Sequence, residues 1–435
     1  MNRQSFEKHM AELFSLGRFG IKLGLETMTG LLAAAGDPHQ SFRSIHVAGT
    51  NGKGSISASL GSIANLAGHR VGVYTSPHLV HVNERFCVDG LPVSDEEVLE
   101  SYLTLKQAKD LPRTPTFFEY TTAMAFTMFA RRSVDLAVIE TGMGGRLDAT
   151  NILSPELCVI SNVSLEHQAY LGRTVSAIAR EKGGIIKPKT PVVTGVTQKS
   201  ALSALATIAE EKRAQLYSHG SDFFTRRRPG KVFSYQGIKK NLADVALALE
   251  GPYQSDNAAL VLAAWEVLSQ NGFKIKEKTV REGLLRVRWP GRLDLVCDKP
   301  RVVLDGAHNL SAMQALTAHL EKNGSGRSLT VVAGFLDDKP YGRMLSLLLP
   351  LCRRLILTRP AIDRAIDTAP LLSMAEAEVP DSRMIPNVAE AVAKAVSIAG
   401  PDDTILCVGS LYVVGEALAA LRKMGLARDE FRLWD

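Results

Sequence analysis

A glycine-rich segment with a single lysine is the part of this sequence best suited to chemistry. It follows the apolar run 45–48 and reads Gly49-Thr50-Asn51-Gly52-Lys53-Gly54-Ser55. In loops of this kind, backbone N–H groups, a lysine and the N-terminus of the following helix bind phosphate groups together. The segment predicts a nucleotide site in which Lys53 contacts the β- and γ-phosphates and the hydroxyl of Thr50 or Ser55 supports it.

The segment departs from the strict phosphate-loop pattern G-x-x-x-x-G-K-[ST] in two places. Val47 stands where the first glycine belongs, and Gly54 separates Lys53 from Ser55. A strand, a glycine turn, a lysine and an amphipathic helix still follow one another in the required order. An ordinary glycine-rich turn is the alternative, and the loop alone does not say which reaction it serves.

Two acidic residues stand at the ends of predicted strands. Glu140 closes the apolar run 134–139, and Asp305 follows the run 302–304. Ligands bind at the carboxyl ends of strands in open α/β sheets, and a carboxylate there suits Mg²⁺. The residues alone leave Glu140 open between a metal ligand and a capping or ion-paired carboxylate, and the simple interpretation of Asp305 is a helix cap.

The residues alone also do not decide whether His167 and Lys182 have a functional role. His167 follows the apolar run 157–163, but a lone histidine is more often a packed or surface residue than a ligand. Lys182 stands where a helical pattern stops at Gly183 and Gly184. By itself, that position predicts a solvated lysine at a helix end.

The elements that would position these residues are short apolar runs alternating with helical patterns, which predict parallel βα units and an α/β fold. A phosphate-loop, parallel-sheet domain (residues 1–292) would be followed by a smaller Rossmann-like α/β domain (residues 293–435), with the Pro- and Gly-containing stretch 289–292 as the linker. The segment 223–241 breaks the pattern and predicts a hairpin or a surface excursion. The predicted strands are 45–48, 70–74, 134–140, 158–163, 191–195, 301–304, 329–334, 354–358 and 404–408.

The composition narrows the class of protein. The chain has 435 residues, 46% hydrophobic and 22% charged, and a formal charge of +6. That charge suits anionic substrates but is too small to indicate nucleic acid. Five widely spaced cysteines without a CxxC argue against a disulfide framework and fit a reducing compartment. With no signal peptide and no spanning apolar run, we expect a cytoplasmic protein that does not bind membranes. Nothing in the sequence suggests a coiled coil or a long amphipathic partner helix, and we expect a monomer.

Beyond the loop, a series of motifs resembles the folylpolyglutamate synthase/dihydrofolate synthase family of Mur-type amide ligases. The motifs occur in family order: residues 47–55, Thr75-Ser76-Pro77-His78-Leu79, residues 116–119, residues 140–151, Glu166-His167, residues 180–185, residues 256–259, Trp289-Pro290-Gly291-Arg292, residues 304–309 and Gly409-Ser410-Leu411-Tyr412. The resemblance implies that ATP is split to ADP while glutamate is joined to a carboxylate through an acyl phosphate. Positioning and charge neutralisation would do most of this work.

The resemblance also implies roles for individual residues. It places metal ligands for two Mg²⁺ ions at Ser76, Glu140, His167 and Lys182, with Lys182 carbamylated by CO₂. One departure is Glu166, where the family usually has aspartate, and we expect the local geometry of the second metal site to adjust to it.

In the second half of the chain, the resemblance places Asn257, Arg292 and Asp305 around the nucleotide. His308 and Ser410 match positions that bind the incoming glutamate or deprotonate it, and Ser76 and His78 lie in a folate-contacting region. The expected acceptor is a folate, dihydropteroate or both. A Mur-type ligase for another carboxylate and a nucleotide-binding module without ligase activity are the alternatives.

Overall fold

The fold is built on two sheets whose neighbouring strands run mostly parallel. A computed structural model describes residues 3–19, 22, 24–228, 232–323, 329–400 and 403–435. The α/β class predicted from the sequence is confirmed.

The first sheet has eight strands, ordered β4-β3-β2-β5-β1-β6-β7-β8, and only β3 runs against the others. Strands β1 and β5, at its centre, are buried along almost their whole length. Helices cover both faces of such a sheet, which is why its strands are continuous apolar runs. The strands are β1 Arg43–Ala48, β2 Val71–Tyr74, β3 Phe86–Val88, β4 Leu91–Pro92, β5 Leu136–Glu140, β6 Leu157–Ile160, β7 Val192–Thr194 and β8 Leu216–Ser218.

The helices around this sheet form two main cores, one centred on α3 and α9 and the other on α2, α4 and α5. Side-chain caps explain where several of them begin: the Ser94 hydroxyl accepts from Glu97 N–H at the start of α4, and Thr116 does the same at α5. The helices are α1 Arg3–Ser15, α2 Glu26–Ala34, α3 Lys53–Leu66, α4 Asp95–Lys106, α5 Phe117–Arg131, α6 Gln168–Leu171, α7 Val175–Gly183, α8 Lys199–Glu211, α9 Gln254–Gln270 and α10 Glu277–Arg286.

The segment predicted as a hairpin or excursion forms a small antiparallel sheet. Its strands are β9 Phe224–Arg227, β10 Val232–Gln236 and β11 Asn241–Ala246, with β10 in the middle. Phe233 and Tyr235 point into the core beneath it, while the arginines of β9 are exposed. Residues 229–231 of the predicted segment lie outside the described residues.

The second large sheet has six strands, ordered β12-β13-β17-β14-β15-β16. Its first strand, β12, is antiparallel to β13, and the others are parallel. The strands are β12 Asp294–Asp298, β13 Arg301–Leu304, β14 Leu329–Ala333, β15 Cys352–Leu357, β16 Ser382–Met384 and β17 Thr404–Val408. The helices are α11 Leu310–Lys322, α12 Tyr341–Leu348, α13 Ala369–Glu376, α14 Val388–Ile398 and α15 Leu411–Lys423.

The chain crosses from the first sheet's domain to the second through residues 287–292, and it crosses back near its other end. Leu433 and Trp434 are buried in the core around α3, not in the core of the second sheet. The division at residue 292 stays a prediction. None of the described helices is both long and apolar enough to span a membrane.

Candidate functional site

The sequence-predicted residues converge because of the strand order of the first sheet. Strand β1 lies between β5 and β6, so the loops after all three strands meet at one edge of the sheet. Such a switch in strand order is where open α/β sheets bind ligands. A cavity of about 320 Å³ lies there and extends to the second domain. Of the predicted residues, it is lined by Thr50, Asn51, Gly52, Lys53, Gly54, Ser55, Ser76, His78, Glu140, His167, Lys182, Asn257, Arg292, Asp305 and His308.

The phosphate loop is held in shape from β6. Thr50 N–H donates to Asn162 O at 2.9 Å, and Asn51 N–H donates to the Asn162 side-chain oxygen at 3.0 Å. The Ser161 hydroxyl donates to Asn51 O at 2.6 Å. Helix α3 then begins at Lys53 without a side-chain cap. Its first N–H groups therefore have no side chain to satisfy them, which is the condition for an anion site at a helix N-terminus.

Gly54, the residue that breaks the strict loop pattern, has a steric explanation. A Cβ on Gly54 would stand 2.6 Å from Trp289 Cε2 and 2.9 Å from Cη2. The indole of the linker therefore lies directly on the first turn of α3. No residue other than glycine leaves room for that approach.

Glu140 ends β5 inside the cavity and is 4% exposed. Its carboxylate lies 3.7 Å from Lys53 Nζ and accepts from Ser76 N–H at 3.3 Å. Burial raises the pKa of the Glu140 carboxyl, and the positive charge of Lys53 opposes that shift. A second cation beside Glu140 would stabilise the charged form further.

His167 and Glu166 bring the two domains together. Glu166 Oε1 lies 3.0 Å from Lys339 Nζ, 3.5 Å from His308 Nε2 and 3.9 Å from His167 Nε2. Burial would raise the pKa of the Glu166 carboxyl, but His308, Lys339 and His167 outweigh it and hold that pKa well below its usual range. Burial lowers the pKa of His167 to about 4 against the pull of Glu166, so its imidazole is neutral and able to bind a metal.

Lys182 is buried, contrary to its interpretation from sequence alone as a solvated helix end. It is 3% exposed, and Nζ donates to Gly49 O, in the phosphate loop, at 2.7 Å. No carboxylate lies within ion-pair distance of this lysine among the described residues. Burial, with the charge of Lys53, lowers the pKa of Lys182 to about 7. A large fraction of a lysine with this pKa is the neutral amine at neutral pH.

The linker and the second domain supply the opposite wall of the cavity. Asp305 follows β13 and is 3% exposed; its carboxylate accepts from Leu293 N–H at 2.8 Å and Ala307 N–H at 2.9 Å. Burial raises the pKa of Asp305, and the Arg292 charge opposes this. The interpretation of Asp305 as a helix cap is wrong, because Asn309 caps α11 through Ala312 N–H.

Besides Ser76, three residues were assigned to the substrates, and two of them line the cavity. His308 Nδ1 lies 2.8 Å from Gly306 O. A carbonyl only accepts, so Nδ1 carries a proton and Nε2 faces Glu166. The Arg85 guanidinium donates to His78 Nδ1 at 2.9 Å, and burial lowers the pKa of His78 to about 3. The Ser410 hydroxyl caps α15 by accepting from Val413 N–H at 3.1 Å, is 1% exposed and does not line the cavity.

Sequence reasoning missed a contact that joins the phosphate loop to the second domain. Asn309 Nδ2 donates to Asn51 Oδ1 at 2.9 Å, and Asn51 Nδ2 donates back to Asn309 Oδ1 at 3.4 Å. The supporting roles of Asn162 and Lys339 were missed too. Sequence offered no signal for these, because each partner lies more than 100 positions away.

The donors in the cavity fit a divalent cation of the Mg²⁺ kind. Among the described residues, no three His, Cys, Asp or Glu side chains converge as a dedicated metal site. The available donors are the Glu140 carboxylate, the neutral His167 ring and the Ser76 hydroxyl. Mg²⁺ keeps several waters and needs only one or two carboxylates beside phosphate oxygens, so this sparse set suits it.

Comparison with known families gives two matches that together cover most of the chain. The Mur ligase middle domain matches residues 47–265, and the Mur ligase, glutamate ligase domain matches residues 291–411. These two segments correspond to the two domains that face each other across the cavity.

Individual proteins resemble the chain along nearly its whole length. A dihydrofolate synthase/folylpolyglutamate synthase of Bacillus subtilis is 37% identical over 421 residues, which are 93% of this chain and 96% of that protein. The solved structure of Escherichia coli FolC in complex with DHPP and ADP superposes with a TM-score of 0.87 at 29% identity, covering 96% of this chain and 98% of that one. The Yersinia pestis bifunctional folylpolyglutamate synthase/dihydrofolate synthase with AMPPNP and a Mn ion has a TM-score of 0.85 at 29% identity, with the same coverage.

Proposed function

Because this chain belongs to the folylpolyglutamate synthase/dihydrofolate synthase family of Mur ligases, we propose that it joins L-glutamate to a folate, to dihydropteroate or to both, with ATP split to ADP. One observation carries the proposal. The phosphate loop with Lys53 and Glu140 on one domain faces Arg292, Asp305 and His308 across a single cavity. A nucleotide-binding module without ligase activity does not need that second wall.

The proposed reaction begins with attack of the acceptor carboxylate on the γ-phosphate. Lys53 and the free N–H groups of α3 hold the phosphates, and Arg292 approaches them from the linker. Mg²⁺, held by Glu140 and Ser76, with a second ion near His167, would neutralise phosphate charge. The two facing walls exclude water, which protects the acyl phosphate from hydrolysis until the glutamate amine attacks.

The incoming glutamate is assigned to the side of the cavity at His308. Since Nδ1 is committed to Gly306 O, Nε2 is the ring nitrogen available to the substrate. Nε2 and the Lys339 ammonium both contact Oε1 of Glu166, and Glu166 lines the cavity together with His308. Ser410, assigned to glutamate by resemblance, supports this region by fixing the start of α15, whose first residue Leu411 lines the cavity.

Carbamylation of Lys182 is part of the proposal. The neutral Nζ attacks CO₂, a C–N bond forms, and one proton leaves to solvent, so that an ammonium is replaced by a carboxylate-like group. The buried position and the lowered pKa of Lys182 favour the neutral amine that this step requires. The carbamate would add an anionic oxygen donor beside the phosphate loop, in the same cavity as Glu140.

Carbamylation is tested by ¹³C NMR of the protein equilibrated with ¹³C-bicarbonate. A carbamate signal is expected in the native protein and is expected to be absent from Lys182→Met. Lys182→Arg is the matched control, because it keeps the positive charge but does not form a stable carbamate. If native protein and Lys182→Met give the same spectrum, Lys182 is not the modified residue.

The reaction itself is tested by following ADP release from the purified chain with Mg·ATP and glutamate. Dihydropteroate and a reduced folate are supplied in separate reactions. Release with one acceptor identifies a single activity, and release with both identifies a bifunctional enzyme. If neither acceptor supports release while a cell-wall precursor carboxylate does, the chain is a Mur ligase for another substrate.

We also propose that the protein works in the cytoplasm as a monomer. The five cysteines are all unpaired, as is typical of a reducing compartment. Size-exclusion chromatography with light scattering tests the oligomeric state, and a dimer would contradict the proposal.

A further inference from the structure

The segment Phe431–Asp435, which we call the return segment, leaves the second domain and packs on the first. Helix α15 ends at Lys423, and eight residues later the chain reaches the core around α3. Leu433 is fully buried and Trp434 is 6% exposed. These side chains are as buried as those of a core strand.

The first domain contains a slot that fits the Trp434 ring. A Cβ on Gly61 of α3 would lie 2.9 Å from Trp434 Cζ3, and one on Gly90, in the turn between β3 and β4, would lie 2.8 Å from Cε2. Asn65 Oδ1 accepts from the indole Nε1 at 3.2 Å. Two glycines and one hydrogen-bond acceptor therefore match the shape and polarity of an indole.

The return segment also pairs with the connection between the domains. Val287 and Trp434 form an antiparallel bridge, and Arg288 N–H donates to Leu433 O at 2.8 Å. The Arg288 guanidinium lies 2.6 Å from an Asp435 side-chain oxygen. The outward and returning chains thus form a short two-stranded ribbon at the domain junction.

This ribbon ends where the linker enters the cavity. Directly after it, Trp289 packs on Gly54, and Gly291 O accepts from Gly306 N–H at 2.8 Å. Arg292 follows, with Nη1 so close to Gly306 that a side chain there would overlap it. Phe431 of the return segment lines the same cavity. The position of Arg292 thus depends on a connection whose first residues are fixed by the return segment.

We propose that Trp434 is a positioning residue for nucleotide binding, acting through the linker to hold Arg292 against the phosphates. The inference rests on the proposed function, because it takes the ligand of Arg292 to be ATP. Trp434 itself lies in the slot between α3 and the β3–β4 turn and does not touch the cavity. Without the indole in its slot, the return segment would lose the side-chain anchor that holds its backbone against residues 287 and 288, and Arg292 would sample positions away from the nucleotide.

The test is ADP binding to the purified full chain, measured by calorimetry for Trp434→Ala in the native and Arg292→Ala backgrounds. We expect Trp434→Ala to weaken ADP binding about tenfold in the native background and less than about twofold in the Arg292→Ala background. If Trp434 acts through Arg292, the effects of the two substitutions on the binding free energy are not additive. Trp434→Phe keeps the buried ring and is expected to restore most of the affinity. Equal weakening in both backgrounds, or none in the native one, would overturn the proposal.

Two further variants separate positioning from simple loss of stability. Trp265→Phe alters another buried indole of the same core and is expected to lower the melting temperature without changing ADP affinity. Gly61→Ala, at a helical position of α3, crowds the Trp434 ring together with Val73 and carries the test if Trp434→Ala does not fold. Weakened ADP binding in Trp265→Phe would mean that general core damage explains the effect. Binding is measured without an acceptor, so failure of the folate activity would show separately as absent ADP release.

Discussion

The contact between Trp289 and Gly54 makes a quantitative prediction for Gly54→Ala. The new methyl group would stand 2.6 Å from Trp289 Cε2, about 1 Å inside the normal carbon–carbon separation. Overpacking of this kind costs roughly 1–3 kcal/mol. An alanine in a helix gains up to about 1 kcal/mol over glycine, which offsets part of the cost. We therefore expect a net loss of up to about 2 kcal/mol.

Gly342→Ala is the matched control for Gly54→Ala. Gly342 lies in the first turn of α12, and nothing lies within 4 Å of its Cβ position. Gly342→Ala has the same favourable change in helix propensity but no steric overlap with a neighbour. The difference in unfolding free energy between the two variants therefore measures the cost of overpacking. At roughly 2–4 °C per kcal/mol, Gly54→Ala should melt several degrees below Gly342→Ala.

A second background shows whether Trp289 is the cause. In Trp289→Leu the ring is gone, so adding Gly54→Ala should cost little. Thermal unfolding followed by circular dichroism is measured for the native protein, the two single variants and the double variant. The KM for ATP is expected to rise with Gly54→Ala, because displacement of Trp289 shifts the linker that carries Arg292. If Gly54→Ala costs the same with and without the indole, the steric explanation of this glycine is wrong.

Other predictions concern the charged groups of the cavity. Lys53→Ala and Glu140→Gln should lower kcat by roughly 10²–10³ while circular dichroism remains native, and near-normal turnover in either would refute its role. Folding lowers the pKa of Lys182 to about 7, so between that pH and the ordinary lysine pKa the unfolded chain binds more protons than the folded one. The free energy of unfolding should therefore rise with pH across this range. Denaturant unfolding at several pH values should show the rise in the native protein and not in Lys182→Met. Glu166→Gln should destabilise the protein by about 1–3 kcal/mol, because Lys339 then keeps only Asp338, at 3.3 Å, as a charged partner. Glu166→Gln with Lys339→Met should recover part of the loss in a melting experiment.

Patterns local in sequence predicted much of the fold. The strands Arg301–Leu304 and Thr404–Val408 have the predicted bounds, because a buried parallel strand is a continuous apolar run between turns. Strands β3, β4, β8, β12 and β16 were not predicted. β12 is an antiparallel edge strand with half-exposed residues, and β16 has three residues, so neither has such a run.

The site was predicted less evenly, for a physical reason. Glycine-rich loops and acidic residues at strand ends are recognisable from residue type, so the sequence singled out Lys53 and Glu140 as candidates, and both line the cavity. Burial of Lys182 depends on the loop at Gly49, which lies 133 positions away. Whether Ser410 faces substrate or caps its own helix depends on one side-chain torsion, and the motif is the same in both cases.

The paired amides of Asn51 and Asn309 have a consequence for how the two domains respond to solution conditions. An amide pair carries no net charge, so neither pH nor ionic strength changes it much, whereas the nearby pair of Glu166 and Lys339 is charged. Ionic strength can therefore act on only one of these two links, and weakly, because both charged side chains are only 9% exposed. The Asn51–Asn309 contact should therefore persist when pH or ionic strength is changed. It would keep the phosphate loop in contact with the second domain before either substrate binds.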